Sequence, residues 1–527
     1  MRHVLRTGAV LAALALAGGI ATPARAAKTT ATTSAKPNIL WIGVDQMRQD
    51  TPGCYGNRLC KTPNIDRLAR DGVTFTRAYT TCCLCSPARA SMFTGRFAFH
   101  HGMGTNCDLY HSLARELPHP ETLLHHRLKA RGYRCGFVGK WHVGTDLGPV
   151  DHGFEGMNLP GYGDIKNDAD FQRYLTTNGL SFGPVQNPIF GNPRQKTLMA
   201  GHWNGPTEST PAYYLANTTI KMLEEYAANS RPFFLTCQFW GPHSPHLPSP
   251  EFLGMHDRSA IEPWKNFKDN LHGKPESVRR FRRDFYRNLP DDWASWREVV
   301  GLYYDFTTMI DQQIGRILDQ LDALGLADNT LVIFVSDHGD MLGCHGGLFD
   351  KGFMYEEAFR IPMIVRWPGA RPASGTSDAL VYNMDIMPTI LDLLGTPDDT
   401  LDGQSFLPAL QGKPLASPRE NIYLEFHGIR YLYSQRALVT RDGYKYIFNP
   451  GDQDEFYDLN TDPAELANVI DAERYAKKVA AIREQIKAAA RTARDPISDY
   501  VAKLFGDWEK LSGQFESAAY DPGQERK

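Results

Sequence analysis

Short apolar runs alternate with longer amphipathic segments, and this alternation is the feature that most constrains the fold of the 527-residue chain. Apolar runs of strand length occur at residues 38–44, 73–75, 134–139, 232–239, 330–336 and 361–366. Segments with helical periodicity lie between or after them, at residues 65–71, 121–131, 211–228, 296–324 and 384–394. Strands that alternate with helices form mostly parallel sheets with helices on both faces. The sequence therefore predicts an α/β fold with one large, mostly parallel sheet.

Two of the predicted strands end in side chains that can bind a metal ion. Asp45 and Gln46 follow the first run, and Asp337 and His338 follow the run at 330–336. Ligands of open parallel sheets bind beyond the carboxyl ends of the strands. A single acidic residue in such a place commonly caps a helix, but two pairs of this kind favour a site for one divalent cation.

The first 26 residues have the character of an export signal. Arg2 and Arg6 precede an apolar run at 9–21, and a small-x-small cleavage site ends at Ala26. Residues 27–36 are small and polar, which is typical of a disordered linker. No later run approaches the roughly 18 apolar residues that a membrane helix needs. We therefore expect a secreted or periplasmic protein without a membrane span.

A Pro- and Gly-rich passage at residues 407–418 separates two predicted domains. The strand–helix alternation occupies residues 37–406, within which 250–300 is irregular and is predicted to be an insertion. Residues 419–527 predict a smaller C-terminal α+β domain with a helical tail. Its predicted elements are strands at 423–426, 434–440 and 444–448, a hairpin turn at 441–443 and a helix from residue 472.

Charge and cysteine content exclude some classes of function. The formal net charge is −3 and no basic tract stands out, so a nucleic-acid partner is not expected. Three of the nine cysteines, Cys82, Cys83 and Cys85, lie within four positions. A zinc site would need a second cysteine pair, which the chain lacks, and a thioredoxin-like motif would need its own βαβ unit. A disulfide and a single functional cysteine stay open.

The residues from Cys85 onward resemble the signature of the type I sulfatases, which belong to the alkaline phosphatase-like superfamily. Cys-Ser-Pro-Ala-Arg, at Cys85 to Arg89, is similar to the family motif C-x-P-x-R, and Thr94 and Gly95 match the T-G that follows it. The resemblance implies an alkaline phosphatase-like fold and hydrolysis of sulfate esters. Further blocks resemble the family in order along nearly the whole chain, at residues 36–40, 62–68, 139–144, 241–245, 336–339, 385–391 and 456–463.

In that family the signature cysteine is oxidised to Cα-formylglycine after synthesis. Cys85 is the matching position, so the resemblance implies that a formylglycine-generating enzyme acts on this chain. One hydroxyl of the hydrated aldehyde would attack the sulfur of a sulfate ester, and the second would allow sulfate to leave. Cys82 and Cys83 have no implied part in this chemistry and are either packed thiols or disulfide partners.

The resemblance also implies a cation and its ligands. The cation would lower the pKa of the attacking hydroxyl and neutralise charge on the sulfate oxygens. Calcium is the expected ion, with manganese or magnesium as alternatives. The implied ligands are Asp45, Gln46, Asp337, His338 and the modified Cys85.

Other matched residues would act on the substrate or on the nucleophile. Arg89 would orient the hydrate, and His142 would act as a base when the aldehyde is regenerated. Asn106 is a further candidate contact to the sulfate or substrate, with a loop-capping role as its alternative. The side chains implied to complement the transition-state oxygens are Lys140, Lys351 and His243, and either of the last two would protonate the leaving oxygen.

Two departures from the common family pattern keep a second function open. The commonest family version has Asp-Asp where this chain has Asp45 and Gln46, and often Asp-Asn where it has Asp337 and His338. Relatives that hydrolyse choline sulfate, or phosphonate and phosphate esters, share the pairs found here. The alternative is therefore a phosphonate or phosphate ester hydrolase, or a choline or aryl sulfatase. The block at 139–144 favours a sulfatase.

The alcohol of the substrate is the least constrained part of the prediction. A sulfated carbohydrate is preferred over an aryl or choline ester. Aromatic side chains outside the matched blocks are candidates for stacking on a sugar or an aryl group, namely Trp203, Trp264 and Tyr431. A non-catalytic carbohydrate-binding relative would be expected to lack Cys85, Arg89 or a lysine, and none of these is lost.

Overall fold

A computed structural model describes residues 36–118, 121–192, 197–229, 231–369, 375–429 and 433–498. The predicted export signal, the predicted linker apart from Lys36 and the end of the predicted tail lie outside these residues. The strands are β1 (Asn38–Asp45), β2 (Val73–Phe75), β3 (Ala78–Tyr79), β4 (Arg134–Gly139), β5 (Glu155–Gly156), β6 (Gly183–Asn192), β7 (Thr197–Asn204), β8 (Phe233–Pro242), β9 (Thr330–Ser336), β10 (Met363–Arg366), β11 (Gly375–Ser377), β12 (Val381–Tyr382), β13 (Asn421–Phe426), β14 (Gln435–Thr440), β15 (Tyr444–Phe448) and β16 (Glu455–Asp458).

Helices precede or follow most of these strands, as the alternation in the sequence predicts. The α-helices are α1 (Pro63–Arg70), α2 (Cys85–Thr94), α3 (Ala98–His101), α4 (Leu124–Lys129), α5 (Ala169–Thr177), α6 (Pro211–Ala227), α7 (Glu276–Asp284), α8 (Trp293–Ala323), α9 (Cys344–Gly347), α10 (Glu356–Phe359), α11 (Ile386–Leu393), α12 (Leu407–Leu410) and α13 (Ala476–Thr492). No helix among the described residues is both long and apolar enough to cross a bilayer.

Eight strands form one mixed sheet in the order β11-β2-β10-β9-β1-β8-β4-β5. β9, β1, β8 and β4 are parallel to one another, whereas β10 is antiparallel to both of its neighbours. Alternate side chains of β1 belong to two different cores. Ile39 and Trp41 pack on one face, with residues of α2 and α11, and Leu40 and Ile42 pack on the other, with residues of α6 and α8. The predicted mostly parallel sheet between helices is therefore confirmed.

A smaller antiparallel sheet, in the order β13-β14-β15-β16, makes up the C-terminal part. The predicted turn at 441–443 connects β14 to β15, and Gly443 has a φ of 85°, which favours glycine. Tyr446 and Phe456 pack with Ile482 of α13 on one face, while Ile422 on the other face joins a separate core that includes residues of α8 and α10. Both faces are covered, and the boundary at 407–418 stays a prediction.

A buried group of charged side chains connects the small sheet to the rest of the molecule, and we call it the junction cluster. Lys445 Nζ on β15 lies 2.9 Å from Glu465 Oε1 and 3.1 Å from Glu356 Oε1. His345 lies between two acids, with Nδ1 3.1 Å from Asp269 and Nε2 3.4 Å from Glu357. The members are Asp269, Lys274, His345, Glu356, Glu357, Lys445 and Glu465, and each positive group among them contacts at least one acid.

Several elements were not predicted from the sequence. β6 and β7 form a long hairpin with several register shifts, and the prolines within β6 made this segment resemble a loop. The predicted insertion at 250–300 contains α7 and the start of α8, together with short 3₁₀ turns. All nine cysteines are described, and all are free thiols. Cys82 and Cys83 are fully buried, so they are packed thiols and not disulfide partners.

Candidate active site

Cys85 is the first residue of α2, a helix that is buried along its whole length. Leu84 before it is extended, with φ −124° and ψ 147°. The alanines of the next turns favour a helix, and Gly95 ends it with φ 69° and an N–H that donates to Ser91 O at 2.9 Å. The Cys85 side chain therefore lies at the positive end of the helix dipole, where a negative charge is stabilised.

The two predicted ligand pairs meet beside this helix end because β1 and β9 are adjacent and parallel. Val44 pairs with Ser336, so the residues that follow each strand emerge side by side. Cys85 Sγ lies 3.2 Å from His338 Nε2 and 3.9 Å from Asp45 Oδ1. The same His338 nitrogen is 3.7 Å from Asp45 and 3.8 Å from Asp337. We use the name strand-end cluster for Asp45, Cys85, Asp337 and His338 with the cations around them, Arg89, Lys140 and Lys351.

Gln46 lies beside this cluster, but its side chain amide has other partners. Its φ of 64° is uncommon for a residue with a side chain, and its N–H donates to Asp337 Oδ1 at 3.0 Å. Gln46 Oε1 accepts from Lys351 Nζ at 2.7 Å, and Nε2 donates to Asp340 at 2.6 Å. The amide oxygen predicted to bind the cation is thus a partner of Lys351 in this structure.

Lys140 and Arg89 contact the two acids of the cluster. Lys140 Nζ donates to Asp45 Oδ2, and Arg89 Nε donates to Asp337 Oδ2 at 2.9 Å. Arg89 Nη2 lies 3.8 Å from Asp45 and makes no hydrogen bond. Burial raises the pKa of Asp45, but Lys140 and the other cations outweigh it and hold that pKa below its usual range. Each acid therefore lies between two groups that carry or can carry positive charge.

Gln238 on β8 supports Arg89 from the sheet side. Its Oε1 accepts from Arg89 Nη1 at 3.2 Å, and its Nε2 donates to Thr236 Oγ1 at 2.7 Å. Gly43 on β1 makes room for this side chain, since a Cβ there would lie 2.1 Å from Gln238 Oε1. The two strands and α2 together fix the direction of the guanidinium.

His243 and Lys351 form the outer side of the cluster. Lys351 Nζ lies 2.7 Å from His243 Nε2, and His243 Nδ1 lies 2.5 Å from Ser244 O. The carbonyl can only accept, so Nδ1 carries the hydrogen, and Nε2 accepts from the ammonium. His243 is therefore neutral in this arrangement, and Lys351 holds the proton that can be transferred.

His142 lies close to the Cys85 thiol and is oriented by Asp108. Its Nε2 is 3.1 Å from Asp108 Oδ1, and its φ of 56° is in the left-handed region. Burial and Lys140 lower the pKa of His142, but the bond to Asp108 and the nearby thiols of Cys107 and Cys85 raise it to about 10. At neutral pH His142 is thus protonated while residue 85 is a cysteine.

Asn106 contacts the backbone of α2. Its Oδ1 accepts from the N–H of Ser86 at 3.0 Å, and the residue is 8% exposed. The amide therefore caps one of the free N–H groups in the first turn of the helix. This contact matches the capping alternative in the sequence analysis, and the predicted substrate contact stays a prediction.

The cluster stabilises a negative charge at residue 85. Burial raises the pKa of the Cys85 thiol, but Lys140, Lys351 and His338 lower it well below the ordinary value. Cys85 is 1% exposed, so these charges act with little screening by water. An oxyanion on the same carbon would have the same partners.

The donor atoms of the cluster fit a divalent cation. His338 Nδ1 lies 2.9 Å from Gly339 O, which assigns the hydrogen to Nδ1 and leaves the Nε2 lone pair directed at the cluster. One ligand atom each from Asp45, Cys85, Asp337 and His338 lies within 4.8 Å of the others. The two carboxylates suit calcium, manganese or magnesium, and the imidazole adds one softer ligand. Lys140 occupies one oxygen of Asp45, which leaves Oδ1 for the ion.

The sequence analysis missed four residues that hold the site together. Gln238 is a polar residue inside an apolar strand, and this exception to the apolar pattern could have identified it as a candidate site residue. Asp340 follows the second ligand pair by two positions, and Asp108 follows Asn106 by two, but neither spacing forms a motif. Tyr162 has its ring centroid 4.2 Å from Lys140 Nζ, and only the fold brings it there.

The three aromatic candidates for stacking have different surroundings. Trp203 lines a cavity next to the site, whereas the Trp264 ring packs under Arg48, with its centroid 4.4 Å from the guanidinium carbon. Tyr431 lies outside the described residues.

Two family models match the chain. The Sulfatase model matches residues 37–396, and the model for the C-terminal part of N-sulphoglucosamine sulphohydrolase matches residues 343–492. A curated relative, N-acetylglucosamine-6-O-sulfatase of Bacteroides thetaiotaomicron, is 26% identical over 529 residues, covering 87% of this chain and 87% of its own.

Solved structures share the fold over most of their length. One is a complex with its substrate D-glucosamine-2-N,6-O-disulfate, with a TM-score of 0.70, 24% identity and coverage of 88% of this chain and 99% of its own. Another is the phosphonate monoester hydrolase of Agrobacterium radiobacter, with a TM-score of 0.73, 25% identity and coverage of 87% and 96%.

Proposed function

The chain belongs to the sulfatase family, and we propose that it hydrolyses sulfate monoesters of carbohydrates through an oxidised Cys85 and a divalent cation. The carbohydrate class is supported by the relative that is named for N-acetylglucosamine 6-sulfate. As a member of the family, the protein is a sulfuric ester hydrolase. The finer statements about nucleophile, metal and substrate are proposals.

The strand-end cluster is the observation that carries the proposal. Asp45 lies between Lys140 and Arg89, and Asp337 lies between Arg89 and His338. Lys351 adds a further ammonium, with Asp350 3.3 Å away on the outer side. A sulfate ester carries one negative charge, so a buried site with this order of charges favours its binding and the charge that develops at its oxygens.

The nucleophile is proposed to arise by oxidation of Cys85 to formylglycine by a formylglycine-generating enzyme. The Cys-Ser-Pro-Ala-Arg motif supports this modification, and so does a site that stabilises negative charge at residue 85. The hydrated aldehyde would supply one hydroxyl to attack sulfur and a second that lets sulfate leave without attack by water.

The surrounding side chains bind the ester and move its protons. Arg89 and Lys140 hold the oxygens nearest residue 85, and Gln238 keeps the guanidinium in place. Lys351 donates a proton to the leaving alcohol, because it carries the hydrogen in its contact with His243. His142, oriented by Asp108, exchanges a proton with residue 85 when the aldehyde forms again.

The cation is proposed to be Ca²⁺, with Mn²⁺ and Mg²⁺ as alternatives. Asp45, Asp337 and His338 would hold it, and Gln46 would join them if its amide oxygen leaves Lys351. When bound, the ion lowers the pKa of a neighbouring hydroxyl and neutralises sulfate oxygens. The donor set supports one ion at this place.

A phosphonate or phosphate ester hydrolase is the second candidate. The Asp-Gln and Asp-His pairs favour it, and so does the likeness to a phosphonate monoester hydrolase at 25% identity. The same cations could hold either tetrahedral anion, but a phosphate monoester carries nearly two charges at neutral pH. The matching Sulfatase model and the block at 139–144 favour sulfate.

Export is a further proposal, and it is supported by the sequence of the first 26 residues. A secreted or periplasmic sulfatase would meet carbohydrate sulfates outside the cytoplasm. Cleavage after Ala26, found by sequencing the N-terminus of the mature protein, would support it, and an intact Met1 in the mature protein would contradict it.

Two measurements test the proposed function. Peptides that span residue 85 should be about 18 Da lighter than the cysteine form, because sulfur is replaced by oxygen and two hydrogens are lost. With the modified protein, kcat/KM for N-acetylglucosamine 6-sulfate should exceed that for the 6-phosphate and for a phenyl phosphonate ester. A consistent preference for the phosphorus esters would establish the second candidate instead.

A further inference from the structure

A cavity of about 340 Å³ lies beside the strand-end cluster, between the end of β8 and the helices α6 and α8. Its walls are mostly apolar and aromatic, and Phe239, Phe306 and Leu215 are among them. Phe239 and Leu215 are buried core residues of the larger sheet. The volume is sufficient for one ring-sized group.

The cavity shares two walls with the proposed active site. His243 lines it, and this is the residue whose Nε2 contacts Lys351 at 2.7 Å. Tyr162 also lines it, and the Tyr162 ring lies 4.2 Å from Lys140 Nζ and 5.7 Å from the His243 ring. A substrate that reaches Lys140 and Lys351 with its sulfate therefore has the cavity directly at its side.

The indole N–H groups and the threonine hydroxyl of the inner walls are already hydrogen-bonded. Trp240 Nε1 donates to Tyr162 O at 2.9 Å, and Trp203 Nε1 donates to Ser209 Oγ at 2.9 Å. Thr210 Oγ1 donates to Thr207 O at 2.7 Å. A hydroxylated group in the interior would find few partners, and a polar group without partners is costly to bury.

The rim differs from the interior. Asp164 and Lys166 line the cavity, and both are exposed to water. Charged side chains of this kind can exchange hydrogen bonds with the hydroxyl groups of a sugar. The cavity thus has a polar edge at the surface and an apolar interior.

We propose that this cavity binds an apolar, ring-sized aglycone of the sulfated sugar, while the sugar ring lies toward Asp164 and Lys166. This inference rests on the proposed hydrolysis of carbohydrate sulfates and narrows its substrate to glycosides that carry an aromatic or cyclic aliphatic group. A further sugar unit in place of the aglycone would leave most of its hydroxyls without partners on the inner walls, where Phe239, Phe306 and Leu215 offer none.

The test compares phenyl and methyl glycosides of N-acetylglucosamine 6-sulfate. Both contain the same ester, so the reactivity at sulfur is equal and only the aglycone differs. For the wild-type protein, kcat/KM for the phenyl glycoside should exceed that for the methyl glycoside by at least about tenfold. A ratio near one would overturn the inference while leaving the sulfatase activity intact.

A cavity-filling variant tests whether the preference for the phenyl glycoside arises in this cavity. Ala212 lines the cavity on the first turn of α6, so Ala212→Phe should bring the ratio close to one while activity on the methyl glycoside is kept. Ala228 is exposed at the other end of that helix, and Ala228→Phe should keep the wild-type ratio. Equal loss on both substrates in Ala212→Phe, in a folded protein, would contradict the assignment.

A second variant is used if Ala212→Phe does not fold, and a binding measurement tests the cavity without turnover. If Ala212→Phe does not fold, Phe306→Ala removes a wall from the opposite side and should lower the ratio instead. Unsulfated phenyl N-acetylglucosaminide should quench the fluorescence of Trp203 and Trp240 in the wild-type protein more than the methyl glycoside does. This quenching does not depend on turnover. Quenching without any sulfate release from the sulfated glycosides would therefore refute only the proposed function. The absence of quenching would refute the cavity assignment.

Discussion

The strand-end cluster and the junction cluster both combine acids, basic side chains and one histidine, but in opposite order. In the strand-end cluster Asp45 lies between Lys140 and Arg89. In the junction cluster Lys445 lies between Glu356 and Glu465. All of these groups are largely buried, so water screens none of them well. The arrangement of charges determines what each cluster can bind. Positive groups that surround acids can still bind an anion, whereas positive groups that are surrounded by acids already have their partners within the cluster.

The junction cluster shows how a closed charge network behaves. Burial raises the pKa of Glu465 to about 7, although Lys445 lowers it, and a partly protonated acid reduces the excess of negative charge. The cluster connects β15 to the segments around His345 and Glu356, which lie close in sequence to Lys351. We expect these contacts to act on stability, and the comparison predicts that damage to each cluster has a different result.

The largest effect is expected when the nucleophile is removed. Cys85→Ala should lower kcat/KM by at least about 10⁴-fold, because no group remains to attack sulfur. Its melting temperature should stay close to that of the wild type, since alanine fits the start of α2. Sulfate release and thermal unfolding measured on the same sample check both parts. Retained turnover would show that the strand-end cluster does not hold the nucleophile.

The second effect concerns the cation. Asp337→Asn keeps the shape of the side chain but removes a charge that Arg89 and the predicted ion share. We expect a loss of activity of about 10³-fold, since a bound cation contributes several kcal/mol to such reactions. The metal content of the purified variant should fall with it. Full metal content together with wild-type activity would remove Asp337 from the ligand set.

The matched change in the junction cluster should act on stability. Lys445→Met leaves Glu356 and Glu465 buried without their cation, and breaking a buried ion pair in this way costs about 3–5 kcal/mol. Denaturant unfolding measures this loss. The kcat of the molecules that remain folded should be unchanged, and a variant with normal stability but reduced kcat would break the comparison between the two clusters.

The smallest effect should come from Asp108→Asn at the edge of the strand-end cluster. Loss of the charged partner of His142 should reduce kcat by about three- to tenfold, as for one ordinary hydrogen bond. In the protein with unmodified Cys85 it should also lower the His142 pKa, which is about 10 in this structure against 6.5 for a free histidine.

The sign of the pH effect on stability follows from that shift. A histidine with a raised folded pKa stabilises the native state fully below pH 6.5, and this contribution is lost as pH rises toward about 10. The difference in stability between wild type and Asp108→Asn should therefore shrink across this range. A difference that grows with pH would contradict the pairing of Asp108 with His142.

The sequence predicted those parts of the site that depend on local patterns. β1 and β9 are continuous apolar runs, and the residues after them are ligand types, so Asp45 and Asp337 could be placed at strand ends from the sequence alone. The Cys85 motif added the nucleophile position and Arg89, four residues later. Each of these features lies within a few consecutive residues.

The remaining parts depend on contacts between distant segments, which local patterns do not contain. Nothing near Gln46 indicates that its amide contacts Lys351, because the two residues are separated by 305 positions. The β6–β7 hairpin was missed since its prolines predict a loop. Tyr162 and Trp203 could be identified as aromatic residues, but only packing against β8 shows that one borders the site and both line the cavity.

The burial of α2 would also limit when the proposed modification of Cys85 can take place. Cys85 is 1% exposed in the folded chain, so a modifying enzyme would have access to its sulfur only before the site closes. His338, which contacts this sulfur, is 253 residues further along the chain, and at about 5–20 residues per second the ribosome takes about 10–50 s to reach it. The proposed oxidation of Cys85 would thus have to precede the arrival of β9, and slower synthesis or delayed folding should then raise the fraction of active molecules.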